Sequence, residues 1–171
     1  MSELIHVKEM VLPCVVGICI APAAGAPMES RGSVEALSGA GLVGDRYSEG
    51  KGAFSKVEPG KKRHVTLISL EETTKGNVWL CSNDMKPFLL VETRRNIVTC
   101  GIDLHALVGK EFSVGSVRMR GVELAEPCHR PSALAKKPGF RDAFTKGGAG
   151  IRAEILTDGV IKLEDEIVVH E

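Results

Sequence analysis

Short apolar segments broken by glycine constrain this chain more than any other feature. Nineteen glycines punctuate it, and helical patterns are few and short. Such spacing predicts a mainly β protein, a closed or partly closed mixed β-barrel with a few short peripheral helices. Strands are expected over residues 3–10, 15–21, 33–36, 64–69, 97–99, 111–114, 117–124, 151–156 and 166–170. The clearest is 117–124, Val-Arg-Met-Arg-Gly-Val-Glu-Leu, which alternates apolar and polar side chains as a half-buried strand does. Short helices are expected over 70–74 behind a Ser69 cap, over 104–108, and over 139–145 with Lys146 and Gly147 as stop signals. Residues 22–28 and 50–62 read as irregular, the second as a mobile charged surface loop.

A chain of 171 residues is long enough for one domain, residues 1–171, with a sizeable core. Its 22 acidic and 22 basic residues cancel, so no overall field draws it to nucleic acid or a membrane surface. No apolar run approaches the roughly 20 residues that span a bilayer. Met-Ser-Glu-Leu at the start lacks a signal-type pattern, which makes the cytoplasm the expected compartment. The five cysteines are odd in number and form no CxxC pair, which argues against a zinc knuckle or a disulfide framework. Cys14 and Cys19 lie in the apolar run 11–21 and read as core; Cys81 and Cys100 also read as structural.

Cys128 stands apart, in Glu126-Pro127-Cys128-His129-Arg130-Pro131. Two prolines are expected to hold this stretch extended, outside helix and sheet ladder. His129 and Arg130 follow the sulfur directly, and nearby positive charge favours the thiolate, the form that attacks electrophiles, carries sulfur or binds a soft metal.

Four further segments could contribute to a site. Residues 39–46, Gly-Ala-Gly-Leu-Val-Gly-Asp-Arg, lack Walker or dinucleotide spacing and read as a tight turn displaying Asp45 and Arg46 at its tip. An Asp–Arg ion pair and a ligand contact are equally good readings there. Thr93-Arg94-Arg95-Asn96-Ile97 offers a cationic fork and an amide, suited to a phosphate on a heterocycle, or else a solvated charged edge. Adjacent arginines on a strand point to opposite faces, so one of the two is expected to face a pocket. Residues 101–110 read as a structural helix, with His105 at the surface. Residues 146–155 read as a glycine turn entering a strand, with backbone N–H groups open to an anion and Arg152 adding charge. His6, His64 and His170 have no partner at metal spacing and read as solvated or hydrogen-bonded, not functional.

Taken in order, these segments resemble the MOSC family, the domain named for the C-terminal part of molybdenum-cofactor sulfurases. The resemblance to its small stand-alone bacterial members is carried by Val16-Gly17-Ile18, residues 21–28, 41–46, 64–68 and 94–97, 101–104, 107–112, Glu126-Pro127-Cys128, 150–153 and 158–161. It implies a mostly-β barrel whose cysteine, here Cys128, ligates molybdenum or carries sulfur. It also implies Arg95, Asn96 and Arg152 as contacts of the pterin phosphate or the pocket wall, with Asp45 and Arg46 as further cofactor-binding candidates. Some members carry a second cysteine three positions earlier, where this chain has Ala125, so Cys128 would act alone.

Three functions follow as expectations. In the first, Cys128 ligates a molybdenum–pterin cofactor that reduces N-hydroxylated compounds, with electrons from a separate electron-donor protein. In the second, Cys128 accepts persulfide sulfur from a cysteine desulfurase, and pyridoxal phosphate enters only through that partner enzyme. The third is a non-catalytic binding module for a phosphorylated pterin. A cysteine hydrolase fits least, because no base and orienting residue can be named.

Overall fold

The structure, a computed structural model, describes residues 11–58, 60–145 and 148–171. The strand expected over 3–10 and the stop signals Lys146 and Gly147 lie outside them. Eleven strands are seen among the described residues: β1 Cys14–Ile20, β2 Glu29–Ser30, β3 Ser33–Leu37, β4 Gly41–Leu42, β5 Val65–Ser69, β6 Ile97–Cys100, β7 Glu111–Val114, β8 Val117–Leu124, β9 Ile151–Ile155, β10 Gly159–Lys162 and β11 Ile167–Val169. Eight of them form one curled sheet in the order β11-β7-β8-β9-β5-β6-β1-β2; β10-β3-β4 form a second. The pairs are antiparallel except β5 with β6, which run parallel. A parallel pair needs a long crossover, and α1 Leu70–Ser82 lies within it.

The curl nearly closes the large sheet. Val15 N–H donates to Asp165 O at 2.9 Å, Ile167 N–H to Pro13 O at 2.9 Å and Glu164 N–H to Val15 O at 2.8 Å, tying the β11 end back to β1. The interior takes every second side chain: Val65 and Leu67 from β5, Ile97 from β6, Ile151, Ala153 and Ile155 from β9. Ile68 and Val98, one residue on, point the other way and pack under the helices with Leu80, Phe88, Phe140 and Phe144. In that outer cluster Phe140 and Phe144 stack at 4.5 Å and Phe88 meets Phe140 edge-on at 5.2 Å.

The fold is the mainly-β one expected, with differences that have physical causes. Helix α1 runs two turns beyond the expected 70–74. Glycine is needed at position 76, where a Cβ would sit 2.9 Å from the Phe144 ring. Residues 104–107 form a single 3-10 turn capped by Asp103, whose carboxylate accepts from His105 N–H at 3.0 Å. A helix not expected, α2 Arg130–Ala135, starts beside Cys128. Pro131 lies in its first turn, where a missing N–H costs nothing, so this proline starts a helix instead of preventing one. The helix α3 Phe140–Ala143 lies inside the expected 139–145. Cys81 is solvent-exposed on α1, not structural core. None of the helices among the described residues is long and apolar enough to cross a membrane.

Candidate functional site

Strand register brings the site together. Thr66 on β5 pairs with Arg152 on β9, and Arg152 with Glu123 on β8. Asn96, one residue before Ile97, is drawn to the same level, because Leu67 pairs with Ile97 across the parallel junction. Since Leu67, Ile97 and Ile151 fill the interior, the preceding or following row of Asn96, Thr66 and Arg152 faces outward. A cleft of about 680 Å³, including its open mouth, lies over that row. Its walls come from the segment entering α2 with Cys128 and Arg130, from Arg94 and Arg95, and from Tyr47, Phe54 and Arg63 of the loop between β4 and β5.

Five of the six residues singled out from the sequence line this cleft: Cys128, Arg95, Asn96, Arg152 and Arg46. Asp45 is instead fully buried behind the wall. The 39–46 turn therefore does not display Asp45 and Arg46 at a tip. Asp45 Oδ1 accepts from Ala21 N–H at 3.1 Å, Arg46 NH1 at 3.0 Å and Asn96 Nδ2 at 3.3 Å, and its Oδ2 accepts from Tyr47 N–H at 3.2 Å. A buried carboxylate needs such donors, and here it anchors β1, the turn and the start of β6 together. Arg46 spans from Asp45 to Met28 Sδ at 3.4 Å and lies 4.9 Å from the Tyr47 ring.

Asn96 is committed to the framework. Its Oδ1 accepts from Thr66 N–H and Thr66 Oγ1, both at 3.1 Å, and its Nδ2 donates to Cys19 O at 3.1 Å and to Asp45. Two donors and two acceptor positions are all an amide has. Its side chain positions the wall and has no hydrogen left for a ligand.

The arginines divide by partner. Arg46 is paired with Asp45, and Arg152 NH1 with Glu123 Oε1 at 2.7 Å. Burial pulls the Glu123 carboxyl upward, but bonds from Arg152 and Lys61 outweigh it and hold the group below the usual carboxylate range. Arg94, Arg95 and Arg130 have no carboxylate within 4 Å among the described residues. Both Arg94 and Arg95 line the cleft, contrary to the strand expectation, because Arg94 is not on a strand. It is left-handed, at φ 64°, closing the 3-10 turn Leu90–Thr93. Arg94 Nη1 donates to Ala26 O and Arg95 Nε to Ala149 O, the latter at 2.7 Å, so each fork is tied to a different backbone segment. Burial, with Arg46 and Arg130 nearby, lowers the Arg94 guanidinium to about 10. Burial, with Arg152 nearby, lowers Arg95 to about 10, while Cys128 acts in the opposite direction.

Three more cleft residues escaped sequence reading. Arg63 sits in a charged loop and carries the one buried side-chain polar atom without a partner among the described residues, its Nε. Tyr47 and Phe54 sit among glycines and lysines, where nothing in the pattern marks an aromatic wall. Cys128 itself is solvent-exposed. His129, directly after it, lies 3.2 Å from Arg141 through its Nε2. Among the described residues no three His, Cys, Asp or Glu side chains converge as a metal site.

Comparison with known proteins agrees with this architecture. Among solved structures, the YuaD protein from Bacillus subtilis superposes with a TM-score of 0.73 at 20% identity, covering 94% of this chain and 97% of that one. YiiM from Escherichia coli gives 0.64 at 14% identity over 92% and 69% of the two chains. YiiM from Geobacillus stearothermophilus gives 0.64 at 15% over 93% and 75%. Identities this low speak for the fold alone. No curated protein sequence matches the chain. A family model does: the MOSC domain, over residues 55–168, a span that holds β5, the arginine pair, Cys128 and β9. That match covers most of the sequence, and the chain belongs to the MOSC domain family.

Proposed function

We propose that the cleft binds a molybdenum–pterin cofactor by its phosphate, with Cys128 Sγ as the protein's ligand to the metal, and that the loaded protein reduces N-hydroxylated compounds. One observation carries this reading: an exposed soft thiol shares a cleft with three guanidinium groups that lack carboxylate partners. Uncompensated buried cations are costly, and a phosphate offset by planar forks is the usual remedy. The orphaned Arg63 Nε in the same wall fits an anionic guest too. Arg94, Arg95 and Arg130 would hold the phosphate, and Tyr47 and Phe54 would flank a flat ring.

When bound, such a cofactor supplies the two-electron chemistry that converts an N–O bond, with two protons, to N–H and water. The chain's own residues bind and orient. Arg95, fixed through Ala149 O, presents its free fork beside Cys128, and Asn96 with Asp45 keeps that wall in register. Electrons would come from a separate electron-donor protein.

The exposure of Cys128 favours a second reading, sulfur carriage. The Cys128 thiolate would attack the outer sulfur of a persulfide on a pyridoxal-phosphate-dependent cysteine desulfurase. A persulfide would then form on Cys128 and the desulfurase thiolate would leave.

The test is the metal and pterin content of wild type and Cys128→Ala, made in a host that synthesises the cofactor. Elemental mass spectrometry and fluorescence of the oxidised pterin are the measurements. Molybdenum near one per chain, lost with the cysteine, is the expected result. Pterin retained by the variant without any change in metal would leave a binding module for a phosphorylated pterin. Wild type free of both overturns the cofactor reading and turns the search to a persulfide on Cys128.

A further inference from the structure

Away from the cleft, a pair of sulfurs has been brought together. Cys14 opens β1 and Cys100 ends β6, and the two are register partners on adjacent antiparallel strands. Their Sγ atoms lie 3.4 Å apart. Both residues are partly exposed, unlike buried Cys19, while Cys81 and Cys128 are exposed. Facing residues on antiparallel strands have Cα atoms about 4.5–5.5 Å apart, inside the roughly 4.4–6.8 Å window a disulfide needs. Closing the sulfurs to the S–S bond length of about 2.0 Å therefore asks for side-chain rotation and little else.

The backbone on both sides is pinned. Ile167 N–H donates to Pro13 O at 2.9 Å beside Cys14, and Gly101 N–H donates to Glu71 Oε1 at 2.6 Å beside Cys100. These bonds hold the two backbone segments in place, so side-chain rotation alone decides whether the sulfurs meet. Gly101 also lines an open cleft, about 1000 Å³ with its mouth, between the start of α1 and the 101–105 turn. Cys14 and Cys100 are themselves partly exposed, so a disulfide reagent can reach the pair from solvent.

We infer that Cys14 and Cys100 form a redox-active dithiol that exchanges with small disulfides of the glutathione class. One thiolate of the pair attacks the reagent's disulfide and releases one thiol. The other then attacks the resulting mixed disulfide at the protein sulfur and releases the second. The pair loses two electrons and two protons, and the reagent is reduced to two thiols. Burial and the bond to Cys14 push the Cys100 thiol above its ordinary value. The inference stands apart from the cofactor proposal, because Cys128 plays no part in it.

The test uses the full chain, reduced and then incubated with oxidised glutathione over a range of ratios. Remaining thiols are alkylated and the digest mapped by mass spectrometry. The expected product is one linked peptide pair, Cys14 to Cys100, lighter by two hydrogens, reversed by dithiothreitol and unchanged in Cys128→Ser. Oxidised wild type should unfold roughly 10 °C above the reduced form, because the bond closes a long loop. Cys14→Ala and Cys100→Ala should show no such difference. Separate glutathione adducts on Cys14 and Cys100, or both cysteines fully alkylated after Cys81 and Cys128 have been oxidised, would overturn the inference. The wild-type map decides this even if a variant fails to fold.

Discussion

Replacing Asp45 by asparagine tests whether the floor of the cleft is built as described. The carboxylate is fully buried and accepts from Ala21, Arg46, Tyr47 and Asn96. Asparagine keeps the shape, removes the charge opposite Arg46 and turns one acceptor into a donor. An amide nitrogen in the Oδ2 position meets the Tyr47 N–H; in the Oδ1 position it meets three donors. Either orientation leaves a buried donor unsatisfied and Arg46 without its counter-ion. The pair's side chains are 8% and 0% exposed, so solvent screening gives little relief. Breaking such a pair from one side costs about 3–5 kcal/mol, a large part of the roughly 5–15 kcal/mol that holds a domain folded. With a urea slope of about 2 kcal/mol per molar, the midpoint should fall by about 1.5–2.5 M. Urea unfolding followed by far-ultraviolet circular dichroism reads this directly. Asp158→Asn serves as control: that carboxylate lies in an exposed contact with Ser38 N–H, worth about 1 kcal/mol or less. Adding Arg46→Met to Asp45→Asn should recover part of the loss, since an apolar replacement of a buried pair is often near neutral. An Asp45→Asn protein within about 0.5 kcal/mol of wild type would refute the buried-hub account.

Three further outcomes are expected. Arg95→Ala should weaken binding of inorganic phosphate, followed by calorimetric titration, by on the order of tenfold, and Arg95→Lys should not restore it. A lysine cannot bond Ala149 O through a fixed fork and still present one to the ligand; wild-type affinity in either variant would count against the arginine cradle. His64 is buried and its Nδ1 accepts from Ile155 N–H at 3.0 Å. Burial, opposed by Glu154 and aided by Lys62, lowers its pKa. Its contribution is therefore whole above the unfolded value of about 6.5 and is lost as pH falls below it. Thermal midpoints between pH 8 and 5 should fall less steeply in His64→Gln than in wild type, and parallel curves would exclude the assignment. Gly150→Ala should lose on the order of 3 kcal/mol or more. At φ 89° a side chain is strained, and its Cβ would lie 1.9 Å from Leu67 O; a melt matching wild type would contradict this.

Pattern and burial explain which elements the sequence discloses. The strand 117–124 is legible because its alternation is real: Val117, Met119 and Gly121 are buried while Arg118 and Arg120 are exposed. Two-residue strands such as Gly41–Leu42 carry no periodicity to read. Helix α1 is under-read because its inward residues, Thr73, Gly76 and Leu80, are mostly small or polar; tertiary packing against Phe144 decides the matter. The same holds at the site. Glycine-flanked Asp-Arg has the composition of an exposed turn, and only the arrival of Asn96 from 51 residues away converts it into a buried hub. Arg94 and Arg95 reach one cleft because a left-handed residue breaks the strand rule. Loop aromatics such as Phe54 join the wall through a long irregular connection that no local pattern encodes.

The parallel pairing of β5 and β6 does the most to assemble the site. Were β6 antiparallel to β5, Asn96 would lie at the far end of Ser69, and the arginines before it would face α1. Running parallel, the strand starts coincide, so Thr66 and Asn96 bond side by side and Arg94 and Arg95 overhang the end where β1 hands the chain to Ala21. Antiparallel β9 then lays Arg152 beside Thr66, and β8 lays Glu123 beside Arg152. Its continuation carries Cys128 over the row. A slip of one residue in β5 would turn Thr66 inward and Leu67 outward, burying a polar group in place of a core side chain. The register that fills the interior with Leu67, Ile97 and Ile151 thus also fixes the row beneath Cys128, so the core and the cleft depend on one pairing.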